Sequence, residues 1–521
     1  MRVLFGVAAL AAPLVIVAPQ PALASLPPVL PVYEVRSAGL TPLQTAALGK
    51  AFGLRDVVPE DDGGVRFTAG DAFLAVPTKP GKRGTDEDGN VTTTPVLDVA
   101  ALKRMKPIPA KTALTNAARA LAAARLAPGG RAKASNTTIR AVDRNGRSTV
   151  NAAIDTTISY AQSLAGLPYE GPGAKVRVAF DGKGKVSSLF YSRRTLVQSG
   201  SVAVLDAAGS VQRCARFMGT GVRVTSATPF YYAPALSTGL KTLEPSLRCS
   251  GVDASGAAAQ VVTLPAAVDA SLPTMPVPQP PRESAPTARA YQRVDVGSEG
   301  TGACSGLPHT KQNLASFNGQ FTGRGIPVEF SWSDANAWER DFKDPAFGGN
   351  DSNYADHVDM TYWQGHGSPT GFSFSGCSTH DDAKLSNTDA RWGNGDVEWM
   401  SLFTCLILEQ GSGNTSWWKR WGPAFAGLHQ INSFHTVSYH SSDHGSQYAK
   451  YLLRSNPLQV RKAWAMASID DQPSDVVWAN MGVIGSGGAV DINDYFWGRG
   501  PVGADIPAAA ITGYWYISGN S

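Results

Sequence analysis

Two residues able to carry covalent catalysis each close a short apolar block. His366 lies at the end of residues 358–367 and Cys405 at the end of residues 397–405, 39 positions apart. A cysteine attacks as the thiolate, and with an ordinary pKa of about 8.5 it needs a base or an electropositive setting. An imidazole accepts that proton near neutrality and returns it to the leaving group. Gly365 and Gly367 flank the histidine and let a substrate backbone approach. The amides of Gly367 and Cys405 are the expected oxyanion donors. The chemistry these residues fit is acyl transfer by a Cys-His dyad.

Both blocks read as buried strands. Val358-Asp359-Met360-Thr361-Tyr362-Trp363-Gln364 and Val397-Glu398-Trp399-Met400-Ser401-Leu402-Phe403 mix β-branched and aromatic residues without strict alternation, the pattern of a strand covered on both faces. Chemistry in open α/β sheets gathers at the carboxyl ends of strands, which would bring the two residues together. Residues 327–332 read as a further strand, 334–342 as a helix, 425–431 as a strand and 445–454 as a helix. Strands separated by helices or long connections predict an α/β domain with a mostly parallel sheet and flanking helices.

The region ahead of it predicts an α+β fold without a reactive cluster. Strands are expected at 32–35, 65–67 and 72–76, and helices from Thr41 to about Gly53 and over 112–127. Residues 154–164 read as helix-like, and 174–180 with 186–191 as a hairpin around Asp181-Gly182-Lys183-Gly184. Between the two regions, residues 271–290 are rich in proline and read as an extended spacer. Arg282 and Arg289 within it are expected to be exposed to trypsin-like cleavage, with a cut between about residues 275 and 292 releasing activity.

The first 24 residues read as a signal peptide. Arg2 precedes an apolar run, and Ala22-Leu23-Ala24 offers a cleavage site before Ser25. The domain organisation is therefore 1–24 signal peptide, 25–270 accessory or propeptide-like region, 271–290 linker and 291–521 α/β domain. A secreted protein with no membrane attachment after signal cleavage is expected. The net charge of +4 comes without long basic runs, giving no reason to invoke nucleic acid. All 12 tryptophans lie at or after Trp332, so the carboxyl-terminal region carries the denser core.

The five cysteines are Cys214, Cys249, Cys304, Cys377 and Cys405. Exported chains tend to pair cysteines, and an odd count leaves one free. Cys214 with Cys249 and Cys304 with Cys377 are plausible disulfides that leave Cys405 as the thiol, although spacing alone does not fix connectivity.

Two other clusters compete. His435, His440 and His444 with Asp443 are ligand types that zinc takes, but their spacing matches no zinc signature, and Asp443 reads better as a helix N-cap. Asp351, Asp356 and Asp359 lack the closely spaced oxygen set calcium needs. No metal and no cofactor is expected.

The segments Tyr362-Trp363-Gln364-Gly365-His366-Gly367-Ser368 and Leu402-Phe403-Thr404-Cys405 resemble the two motifs of the caspase-like cysteine peptidases of the legumain, gingipain and clostripain type, over roughly residues 325–435. The carboxyl-terminal region also resembles a bacterial family of secreted proteins of uncharacterised function. The amino-terminal region is distantly similar to the small inhibitory modules of bacterial protease propeptides. These resemblances imply a secreted cysteine endopeptidase acting on a protein or peptide and kept latent by its own amino-terminal region. The alternative is a catalytically silent fold of the same type, used as a binding or surface-interaction module.

Overall fold

The computed structural model describes residues 29–521 apart from 56, 58, 61–62, 87–88, 278–281, 283–293, 377–381 and 414. The expected signal peptide, Arg289 and Cys377 lie outside the described residues.

Nine strands form the sheet that carries both reactive residues. β1 (Thr138–Asp143) and β2 (Ser148–Ala153) come from ahead of the linker. They are followed by β3 (Val296–Gly300), β4 (Val328–Ser333), β5 (Met360–Gln364), β6 (Trp399–Phe403), β7 (Gln430–Phe434), β8 (Val477–Gly485) and β9 (Ile511–Asn520). Their order is β4-β3-β5-β6-β7-β8-β9-β1-β2. The first five strands are mutually parallel, and every pairing from β7 onward is antiparallel.

The absence of alternation in β5 and β6 has its expected cause, burial on both faces. Tyr362 points to one side, where Phe317 of α1 (Thr310–Thr322) stacks on it at 4.6 Å between centroids. Helices α2 (His444–Leu453) and α3 (Val460–Asp471) complete that layer with Tyr448 and Trp464. Trp363 points to the other side, against Phe342, Phe372 and Phe374. Burying such side chains supplies about 1.5–3 kcal/mol each, so neighbouring register choices are strongly disfavoured.

The fold class differs from the expectation. The chain is mostly β, with mixed and antiparallel sheets, rather than a mostly parallel α/β fold. β8 and β9 are as apolar as the parallel strands because they too are buried, and such runs do not disclose strand direction.

Ahead of the linker a second nine-stranded sheet is almost wholly antiparallel. Its hairpin at Asp181 is as expected, with Asp181 Oδ1 accepting the amides of Lys183 and Lys185 and Gly184 at φ 74°. Residues 154–164, expected as helix, instead contain the strand Thr156–Leu164. Its run of Thr156, Thr157, Ile158 and Tyr160 favours the pleated surface over the helix. Residues 334–342 form two short 3-10 turns rather than a helix, and 72–76 form no strand.

One hairpin of this second sheet reaches the first. The strands Ser246–Asp253 and Val262–Pro265 pair antiparallel, and residues 254–261 connect them. Asp253 Oδ1 anchors the turn by accepting the amides of Ser255 and Ala257. The Cys214–Cys249 disulfide, as expected, ties the first of these strands to the helix Ala207–Met218.

Candidate functional site

β5 and β6 are adjacent and parallel, with Gln364 opposite Phe403 in register. His366 and Cys405 therefore follow neighbouring strand ends. Leu406, immediately after the cysteine, has φ 64°, a conformation that costs a branched side chain free energy. This sharp turn halts β6 and holds the thiol at the strand end, with the Leu406 amide bonded to the Thr436 carbonyl.

Both residues are buried, and the hairpin 254–261 covers them. Ala258 pairs antiparallel with Gly367, exchanging N–H to O bonds of 2.8 and 3.2 Å. Val261 pairs parallel with Tyr439, its amide donating to the Ser438 carbonyl at 2.9 Å while the His440 amide donates to Val261. The cover thus lies as an extended strand between the backbone after His366 and the backbone after β7. The Gly367 amide, an expected oxyanion donor, is already bonded to a carbonyl oxygen, that of Ala258.

The imidazole of His366 is engaged at both nitrogens. Nδ1 accepts the backbone amide of Gln260 at 3.2 Å, and Nε2 donates to the Ser305 carbonyl at 2.9 Å. This fixes the neutral tautomer, and burial lowers the pKa, opposed by the nearby Asp253 carboxylate. Cys405 is a free thiol. Its sulfur accepts the Ser438 amide at 3.4 Å and lies 3.7 Å from the Ser438 hydroxyl. Burial pushes this thiol up to about 11. The two residues are joined through Gln260 and Ser438, and in this closed state the thiol is protonated and the base neutral.

Gln260 is fully buried between them. Its Nε2 donates to the Phe403 carbonyl at 3.0 Å and to the Ser438 hydroxyl at 3.2 Å. Its Oε1 lies 3.1 Å from His440 Nδ1 and 3.5 Å from Gln364 Nε2. A cleft of about 500 Å³ opens beside this recess, lined by Thr263, His309, His440, Ser442 and Asp443 among others. Gln260, Ser438, Gln364 and Ser305 carried no signal in the sequence. Gln260 sits in a run of alanines and valines, Ala257 to Val262, with no chemistry-bearing neighbour in sequence.

The histidine cluster does not gather into one site. His440 accepts the His309 amide on Nε2 and stacks on that ring. His435 Nδ1 accepts the Gln410 amide. His444 is a core residue stacked on Phe403 at 4.3 Å, and burial lowers it to about 3. At the opposite, amino end of the parallel strands, Asp295, Asp359 and Asp396 bring carboxylate oxygens within 4.8 Å of one another. Asp356 instead clamps a loop by accepting the amides of Gly393 and Gly395, and burial raises Asp351 to about 9.

Arg282 departs from the expected exposure. Its guanidinium lies 3.6 Å from the centre of the Trp338 ring and 4.9 Å from those of Trp332 and Tyr354, and it pairs with Asp341. Of the expected disulfides, the second involves Cys377, which lies outside the described residues.

Residues 297–519 match the family described as a domain of unknown function (DUF6345). Curated proteins offer no match. Among solved structures, an uncharacterised protein from Eubacterium rectale is similar at 10% identity and a TM-score of 0.22, over 43% of this chain and 78% of that one. The Bacillus megaterium YpeB C-terminal domain is similar at 10% identity and a TM-score of 0.19, over 44% of this chain and 95% of that one. Scores this low carry no argument. The resemblance to caspase-like peptidases is overturned: the family match is to a domain of unknown function and brings no caspase-like family with it, and the sheet is mixed with antiparallel strands. Its two motifs are short, and any pair of buried strands ending in His-Gly and in Cys satisfies them.

Proposed function

We propose that the chain is a secreted cysteine peptidase whose Cys405 and His366 are held latent by its own hairpin. The observation that carries this reading is the path of residues 257–262. They lie extended over both residues, backbone-paired on two sides as a bound peptide would be, with one side chain buried between them. A strained turn directly after the thiol supports it further.

In the open site His366 takes the Cys405 proton, and the thiolate sulfur bonds to the scissile carbonyl carbon. The C–N bond breaks, and the amine leaves with the proton from His366. Water then attacks the thioester, giving the carboxylic acid and restoring the thiol. The Gly367 amide is placed for the developing oxyanion once Ala258 withdraws.

The cover itself, rather than the spacer, is the element that must move. β1 remains paired to β9, and β2 to β1, whether or not the spacer is cut, so cleavage there leaves the hairpin held by non-covalent contacts. A second reading, a silent binding module, draws on the raised thiol and on a histidine with both nitrogens bound to backbone. The experiment is peptide hydrolysis before and after limited proteolysis, with each cut mapped by mass spectrometry. Hydrolysis that appears with a cut in residues 254–262 supports the latent peptidase. An intact chain as active as the cut one removes latency, and a cut chain with an accessible thiol and no hydrolysis favours the module.

A further inference from the structure

The recess around Gln260 is more selective than a cover needs. Every polar end of the carboxamide is met by a complementary group. The two N–H bonds face acceptors, the Phe403 carbonyl and the Ser438 hydroxyl, at 3.0 and 3.2 Å. The oxygen faces His440 Nδ1 at 3.1 Å. His440 Nε2 is the acceptor of the His309 amide at 2.8 Å, and burial beside His309 and His366 keeps the ring neutral. Its one proton is therefore on Nδ1, directed at the carboxamide oxygen. Gln364 Nε2 lies 3.5 Å from the same oxygen and 3.1 Å from His440 Nδ1, and it donates to the Ser441 carbonyl at 3.2 Å.

We infer that this recess is a specificity pocket for a carboxamide side chain, so that the site takes extended peptides bearing glutamine where the cover bears Gln260. The assignment of a reaction to that pocket rests on the peptidase reading; the binding does not. A glutamate would set a carboxylate oxygen against the Phe403 carbonyl and lose both donated bonds. Lysine or arginine would bring a charge to a recess whose named partners are all neutral. Asparagine is one methylene too short to reach the same partners. The flanking positions are restricted too, since Ala257, Ala259 and Val261 are all buried. The acceptable peptide is small before the glutamine and apolar after it, with backbone pairing to Gly367 and to Ser438–His440.

The test uses the full chain carrying Gln260→Glu, which places a carboxylate in the recess and ejects the cover. Iodoacetamide labelling of Cys405 at pH 8 is expected to accelerate at least tenfold over the parent. A blocked heptapeptide copying residues 257–263 should then slow labelling at least fivefold, and its Gln→Glu counterpart should not. Gln260→Ala, read the same way, replaces this variant if it does not fold. Parental labelling rates in the glutamate variant overturn the inference, as do equal protection by both peptides or protection by neither. Hydrolysis of the peptides is scored separately. Selective protection without hydrolysis leaves the pocket standing and removes the peptidase reading. Hydrolysis indifferent to glutamine does the reverse.

Discussion

Gln260 donates its backbone amide to Nδ1 of His366 across 3.2 Å, although 106 residues separate them in sequence. The contact turns a candidate base into a hydrogen-bond acceptor for its own chain. It also places the Gln260 side chain over the end of β6, where Ser438 bonds both to it and to Cys405. On the latent-peptidase reading, closing the site and silencing the pair are one structural event.

The first prediction concerns the thiol. Burial holds Cys405 at about 11, whereas an exposed thiol ionises at about 8.5. A group whose folded pKa is raised stabilises the closed form fully below its unfolded value and ceases to do so as pH passes the folded one. The closed form therefore weakens between about pH 8.5 and about 11. Iodoacetamide labelling of the intact chain should be slow at pH 8 and climb across that window. A labelling midpoint at or below the ordinary thiol value in the intact chain would contradict the closed site.

The disulfide should brace the cover. Cys214–Cys249 closes a 35-residue separation and fastens the strand that leads into the hairpin. Replacing both cysteines with serine is expected to cost about 3–4 kcal/mol by the loop-entropy relation. Denaturant titration measures this, and Cys405 labelling should quicken several-fold in the same variant. Unchanged labelling would show that the hairpin holds without the bridge.

Gly367 has no room for a side chain. A Cβ there would lie 2.3 Å from Thr404 Oγ1 and 2.7 Å from the Cys405 carbonyl. Gly367→Ala should cost about 1–3 kcal/mol as the backbone shifts, and the pairing with Ala258 should loosen with it. Thermal unfolding reports the cost, and hydrogen exchange at Ala258 reports the loosening. Parental stability together with parental exchange would mean the two strand ends are less tightly juxtaposed than described.

The linker carries its own anchor. Arg282 is held by Trp338, Trp332, Tyr354 and Asp341, so trypsin should cut there slowly in the native chain. A desolvated cation–π contact is worth about 2 kcal/mol, so Trp338→Ala should speed that cleavage more than tenfold. Rapid cutting at Arg282 in the parent, mapped by mass spectrometry, would return it to the surface.

What the sequence disclosed follows from the physics that leaves local traces. β5 and β6 were legible because burial on both faces writes uninterrupted apolar runs, and Asp181 because a tight turn needs its own side chain and a glycine. Strand direction was not legible: β8 and β9 are buried like their parallel neighbours but are reached by different connections. The helix expected at 154–164 became a strand because its run of Thr156, Thr157, Ile158 and Tyr160 favours the pleated surface. Arg282 looked exposed because its partners lie 50 or more residues downstream. The cover was silent for the same reason. Gln260 meets Phe403, Ser438 and His440 only after two sheets have docked.

The central claim, that Cys405 and His366 form a latent catalytic pair, is tested most directly by peptide hydrolysis with the cover opened. The chain carrying Gln260→Glu is compared with the same chain carrying Cys405→Ala or His366→Ala, all verified as folded by circular dichroism. The opened chain should hydrolyse the heptapeptide copying residues 257–263, and each added substitution should lower the rate by at least about a thousandfold. Hydrolysis that survives either substitution, or an opened chain with a reactive thiol and no hydrolysis of any peptide offered, would contradict the account.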